Sequence, residues 1–124
     1  MKNKLLFLVS LAGTLFFLVF VVSSVWIGYV VEENCQEAVA RYGGDCVAAL
    51  SAELDDEAAS FTDRNDAVWS LGQLGDAQAI PALEANYTGD MSQTKYHSTL
   101  SQYELGKAIR LLESGFNITH IVRW

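Results

Sequence analysis

The chain divides at Val31 into an uninterrupted apolar run and a stretch in which apolar residues recur at helical spacing. The run from Leu5 to Val31 holds 27 residues without a single charge. As a helix it measures about 40 Å against about 30 Å of bilayer hydrocarbon, which predicts one span, tilted or with its last turn among the headgroups. A cleaved secretory signal has an apolar core of only about 7–15 residues that ends at small residues. Here the best small pair, Ser23-Ser24, sits inside the run and is followed by Val25 and Trp26. Lys2 and Lys4 precede the run, and Glu32, Glu33 and Glu37 follow it. The positive-inside rule then sets the N-terminus in the cytoplasm and the rest of the chain outside, with Lys2, Lys4, Trp26 and Tyr29 at the two membrane interfaces.

Beyond Val31 the pattern is helical throughout, with no alternating run of useful length. Residues 35–42 continue the anchor helix until Gly43-Gly44. Asp45 caps a helix over 46–54, with Val47, Leu50 and Leu54 on one face. Asp63 caps a helix over 64–74, and Gly75 takes the left-handed position after it. Asp76 turns the chain into a further helix near Pro81, where a missing N–H costs nothing, and that helix runs to about Tyr87. A ten-residue loop, 88–97, comes next. Ser101-Gln102-Tyr103-Glu104 reads as a capping box, and Leu105, Ala108, Ile109 and Leu112 form an i, i+3, i+4, i+7 stripe closed by Gly115.

Residues 63–85, DRNDAVWSLGQLGDAQAIPALEA, resemble the HEAT-like repeat first noted in phycobilisome lyases. The resemblance is carried by Ala67, Leu71, Gly72, Leu74, Gly75, Asp76, Ala79, Pro81, Ala82 and Leu83. A glycine such as Gly72 costs about 1 kcal/mol within a helix and suggests close helix–helix approach. Val47-Ala48-Ala49-Leu50 aligns with Ile80-Pro81-Ala82-Leu83 at an offset of 33, and the stretch from Ala108 to Gly115 aligns with 68–75 at an offset of 40. The units therefore run B, A-B, A, about two repeats. The resemblance implies a HEAT-like α-solenoid and protein binding; with the helical pattern and the apolar run, the expected fold is all-α, one transmembrane helix followed by a short solenoid. It does not carry over lyase chemistry, because the repeat is a scaffold with many uses.

Charge narrows the partners. After Val31 there are six basic residues against fifteen acidic ones, a net −9, which argues against nucleic acid and against a basic lipid-binding face. Candidate chemistry is sparse, and no cofactor is expected. Cys35 and Cys46 face an oxidising compartment and either form a disulfide or lie as two small buried residues. If both flanks of Gly43-Gly44 are helical, they sit about 12 Å and about 3 Å up their helices, too far apart to bridge. His97 and His120 are isolated. A metal site would need them to converge with Asp90 or Glu104, and no spacing demands it. Asn86-Tyr87-Thr88 and Asn117-Ile118-Thr119 match the glycosylation sequon, which is discounted for a repeat of bacterial style.

Two segments are the expected partner-binding surfaces. In the 88–97 loop these are Met91, Tyr96 and His97, since an insertion between units lies at one edge of an array. In the tail, 116–124, they are Phe116, Ile118, Ile121 and Trp124, because large apolar residues at an acidic domain's terminus must cover something: the last helix, the membrane surface or a partner. The organisation read from the sequence is thus an anchor at 1–31, an extracytoplasmic helical domain at 32–115 and an apolar tail at 116–124. The expected function is non-enzymatic: a single-pass protein of the cytoplasmic (inner) membrane presenting a periplasmic binding module, as an accessory or assembly subunit of a membrane complex. The alternatives are a pigment- or cofactor-handling enzyme of the lyase type, or a soluble binder released by cleavage.

Overall fold

The computed structural model describes residues 1–92 and 97–115, and these form five α-helices and one short 3-10 turn, with no strand among them. Helix α1 (Lys2–Tyr42) runs unbroken for 41 residues, from the apolar run into polar chain. Residues 32–42 contain neither glycine nor proline, so nothing stops it before Gly43, whose φ of 74° lies in the left-handed region. Asp45 caps α2 (Cys46–Asp55) by accepting the Ala48 N–H at 2.8 Å.

Helix α3 (Phe61–Leu74) begins before the expected start. Ser60, not Asp63, is its cap, and the Ser60 hydroxyl accepts the Asp63 N–H at 3.0 Å. Asp63 sits instead in the first turn, where a carboxylate meets the positive end of the helix dipole. Gly75 closes α3 with φ 71° and ψ 17°, the left-handed conformation expected for it. Asp76 caps the turn Ala77–Ala79, which feeds α4 (Ile80–Asn86) with Pro81 in its first turn. Helix α5 (Gln102–Ser114) ends at left-handed Gly115, and its N-cap Ser101 accepts the Glu104 N–H at 3.3 Å. The return half of the expected capping box is replaced. Asn65 takes the Ser101 N–H at 2.8 Å, and the Glu104 carboxylate pairs with Lys107 at 3.9 Å.

Helix α3 lies at the centre, against α1, α2 and α5, and buries Asn65, Ala67, Val68, Ser70, Leu71 and Gly72. That spread exceeds one helical stripe, as a sandwiched solenoid helix requires. Leu50 of α2 and Leu83 of α4, 33 residues apart, are both fully buried, as are Leu54, Val68, Leu71 and Leu105. The α5 stripe of Leu105, Ala108, Ile109 and Leu112 is buried along its length. A Cβ on Gly72 would lie 3.0 Å from the Ala108 Cβ and 3.1 Å from its Cα, so glycine sets how closely α3 and α5 approach.

Paired contacts give the helix directions. Asn65 with Ser101 and Gly72 with Ala108 make α3 and α5 parallel. Leu54 with Arg64 sets α2 antiparallel to α3, since these residues lie at the end of one and the start of the other. Asn34 with Ser70 and Arg41 with Asp63 set α1 antiparallel to α3 as well. The outer third of α1 therefore runs with α2 and against α3. The order α2, α3, α4, α5 reads as B, A-B, A, a solenoid of about two repeats, and α1 covers its first end.

Candidate interaction surface and membrane junction

The junction between α1 and the repeats is built from four polar or covalent ties. Nearest the apolar run, Val31 is buried, and one turn further the Asn34 amide donates to the fully buried Ser70 hydroxyl at 2.9 Å. Cys35 and Cys46 are joined as a disulfide, with Cα atoms 5.2 Å apart. Both flanks of the glycine pair are helical and the cysteines bridge all the same, which corrects the expectation that helical flanks would hold them apart. The expected separation assumed an antiparallel hairpin whose helices start level. Instead, Gly43, Gly44 and Asp45 carry the chain back along α1. Cys35 then faces Cys46, Arg41 faces Glu53 and Tyr42 faces Asp56 in one ascending order.

Arg41 donates to Glu53 at 3.1 Å and approaches Asp63 at 3.8 Å. The Glu53 side chain is only 7% exposed, and its burial pushes the carboxyl pKa up despite the nearby Arg41 cation. Tyr42 donates its hydroxyl to Asp56 at 2.7 Å. That bond raises the Tyr42 phenol to about 12 and holds the Asp56 carboxyl below its ordinary value, helped by the Ala58 N–H. Beside these ties an open groove of about 380 Å³ is lined by Gly28, Val31, Cys35, Cys46 and Leu74 together with the polar Glu32 and Gln36.

The 88–97 loop is pinned at its base. The Gln102 side chain accepts the Thr88 N–H at 2.7 Å and donates to the Asn86 carbonyl at 3.2 Å, while the Tyr87 ring lies over Gly106. Met91 is exposed, and His97 shares a 2.9 Å hydrogen bond with Thr62 in the first turn of α3. Asp90 is bonded to Ser92, which lowers its pKa, and Glu104 is bound to Lys107 on α5. The candidate metal ligands His97, Asp90 and Glu104 thus each have a separate local partner, and no group of three metal-ligating side chains occurs among the described residues. Tyr96 lies outside the described residues, as do His120 and the tail residues Phe116, Ile118, Ile121 and Trp124.

Sequence reasoning missed Asn65, Ser70, Glu53 and Gln102, the buried polar residues that fix the helices to one another. A polar residue on the apolar side of a predicted helix was the signal available, but nothing in the sequence names its distant partner. Of the residues expected at the membrane interfaces, Lys2 and Lys4 stand at the start of α1, and Trp26 and Tyr29 are exposed with ring centroids 6.5 Å apart. The apolar part of α1 has the length and composition of a membrane span, with a mean hydropathy of 2.8 over 18 residues. Lying near the N-terminus, it also meets the description of a signal sequence.

Searches of curated proteins and of solved structures give no match. One family model, the PBS lyase HEAT-like repeat, matches residues 63–88. Those residues are nearly all of α3, the turn after Gly75, α4 and the start of the pinned loop, so the match covers one A-B helix pair. The described residues are helices and turns without a strand, and at their centre is a HEAT-like repeat of the PBS lyase kind, which suggests a protein-interaction or lyase-like repeat module.

Proposed function

We propose that the chain is a membrane-anchored protein-interaction module, held by α1 with its repeats on the extracytoplasmic side, and that it serves as an accessory or assembly subunit of a larger membrane complex. The observation that carries the reading is the join between anchor and repeat: the helix long enough to span a bilayer is itself the cover of the first end of the array. A module that only needed tethering would tolerate a flexible linker. One with no linker presents its surfaces at a fixed height and orientation above the bilayer, which suits docking onto another membrane-embedded protein. The disulfide supports an oxidising, extracytoplasmic side. About two repeats also leave array surface uncovered, since solenoid units bury apolar faces chiefly against neighbours.

Mild detergent extraction followed by native gel separation tests the reading. The expected result is co-migration with a larger membrane assembly and loss of that assembly when the 88–97 loop is shortened. Quantitative recovery as a folded monomer overturns it. Protease digestion of sealed vesicles of known orientation checks the topology: residues 32–115 should be cut only when the extracytoplasmic side is exposed.

A further inference from the structure

The bridge between Cys35 and Cys46 lies where a thiol can reach it. Both cysteines line the open groove beside α1, and neither is fully buried. Glu32 and Gln36, which share the groove, are exposed, as are Gly44 and Asp45 in the turn that delivers Cys46. Access from solvent is the first requirement of thiol–disulfide exchange. Cys35 comes after the end of the apolar run at Val31, so this access does not depend on α1 crossing a bilayer.

The contacts around the bridge already hold what it joins. Asn34 is tied to Ser70 on one side of it, and Arg41 to Glu53 and Tyr42 to Asp56 on the other. Ala38, one turn beyond Cys35, is fully buried in the same core as Ala49 and Leu50. The cysteines are only 11 positions apart, and closing a short loop restricts the unfolded chain less than closing a long one. Helices α1 and α2 therefore stay packed when the bond opens, and what changes is one wall of the groove. Cys46 is also the first residue of α2, so a thiolate released there meets the positive end of the helix dipole. The carboxylate of the neighbouring Asp45 is turned onto the Ala48 N–H. Stabilising the reduced form in this way makes a disulfide easier to open.

We propose that Cys35–Cys46 is an exchangeable disulfide, opened through the groove by a dithiol protein on the same side of the membrane as the repeats. The donor's thiolate attacks the Cys35 Sγ, and the electron pair of the S–S bond leaves on the Cys46 sulfur. The donor's second thiol then displaces Cys35 from the mixed disulfide. The chain gains two electrons and the two thiol protons of the donor, which departs as a disulfide. The test uses the full folded chain in mild detergent with glutathione as the probe, two molecules of which supply the same electrons. Free thiols are counted by alkylation and mass spectrometry, and helix is followed by circular dichroism. Millimolar glutathione should open at least half of the bridges at equilibrium with the helical signal unchanged, whereas a purely structural disulfide resists it. A bridge that stays closed in glutathione and yields only to dithiothreitol or after denaturation overturns the proposal, as does opening accompanied by loss of helix. The variant Cys35→Ser with Cys46→Ser is a second check: it should fold with the helical content of the wild type, and failure to fold would make the bridge a staple and overturn the proposal. None of these outcomes depends on α1 spanning a bilayer or on a larger complex, so the proposed function is tested separately.

Discussion

Asn65 is fully buried on α3 against the segment that leads into α5, and both ends of its amide are used. The nitrogen donates to the Thr99 carbonyl and the oxygen accepts the Ser101 N–H, each at 2.8 Å. Asn65→Ala leaves the buried Ser101 N–H without this acceptor, so the full chain in detergent should lose about 1–3 kcal/mol in denaturant unfolding, with α5 amides exchanging fastest. A loss below about 0.5 kcal/mol would show that water replaces the amide. The Arg41–Glu53 pair makes a different prediction, because Glu53 is buried while Arg41 is half exposed. Removing the base leaves a carboxylate in a poor environment, whereas Glu53→Gln removes the charge that needs it. Arg41→Ala should therefore destabilise more than Glu53→Gln at neutral pH. The folded-state pKa of Glu53 lies above its unfolded value near 4.5, so the fold binds that proton more readily than the unfolded chain. Its contribution becomes more favourable as pH falls through the folded pKa and is complete below the unfolded one. The gap between the two variants should narrow across that window, and a gap independent of pH would exclude Glu53 as its origin.

Among the elements, α3 and α5 approach too closely for a side chain at Gly72, because the atoms opposing its Cβ include backbone. Gly72→Val should cost about 1–3 kcal/mol by overpacking, in spite of the better helix propensity of valine, and a neutral result would mean that α5 slides without penalty. This glycine was legible in the sequence, as were the ends of most helices: Asp45 and Ser101 act through bonds within a few residues, and Gly75 and Gly115 through their own left-handed backbone, all of which a local pattern records. Ser60 shows where local reading slips, since Ser60 and Asp63 are both good caps and only the start of the packed face decides between them. The direction of α2 was not legible at all. Gly43-Gly44 announces a turn but not its sense, and the sense decides whether Cys35 meets Cys46. The polar ties Asn34–Ser70 and Asn65–Ser101 each cross 36 residues, beyond any helical period.

At the scale of the whole molecule, α1 has the length and composition of a membrane span at one end and packs on the solenoid at the other, with no joint between. A straight α-helix advances about 1.5 Å and turns about 100° per residue. Residues inserted between Tyr29 and Val30 would thus steer the repeats like the hand of a dial. Two extra alanines would swing the 88–97 loop about 200° around the anchor while lifting it only about 3 Å; seven would bring it back to within about 20° of its bearing but raise it about 10 Å. If partners are met side-on within the membrane plane, complex retention should oscillate with insertion length at the helical period. A smooth decline would mean that height alone matters, and indifference to both would mean that the partner is mobile enough to follow. Helix α1 is in this sense a compass bearing written into sequence length, and a single-residue insertion or deletion there would redirect the domain while leaving the ties at Asn34, Cys35, Arg41 and Tyr42 in place.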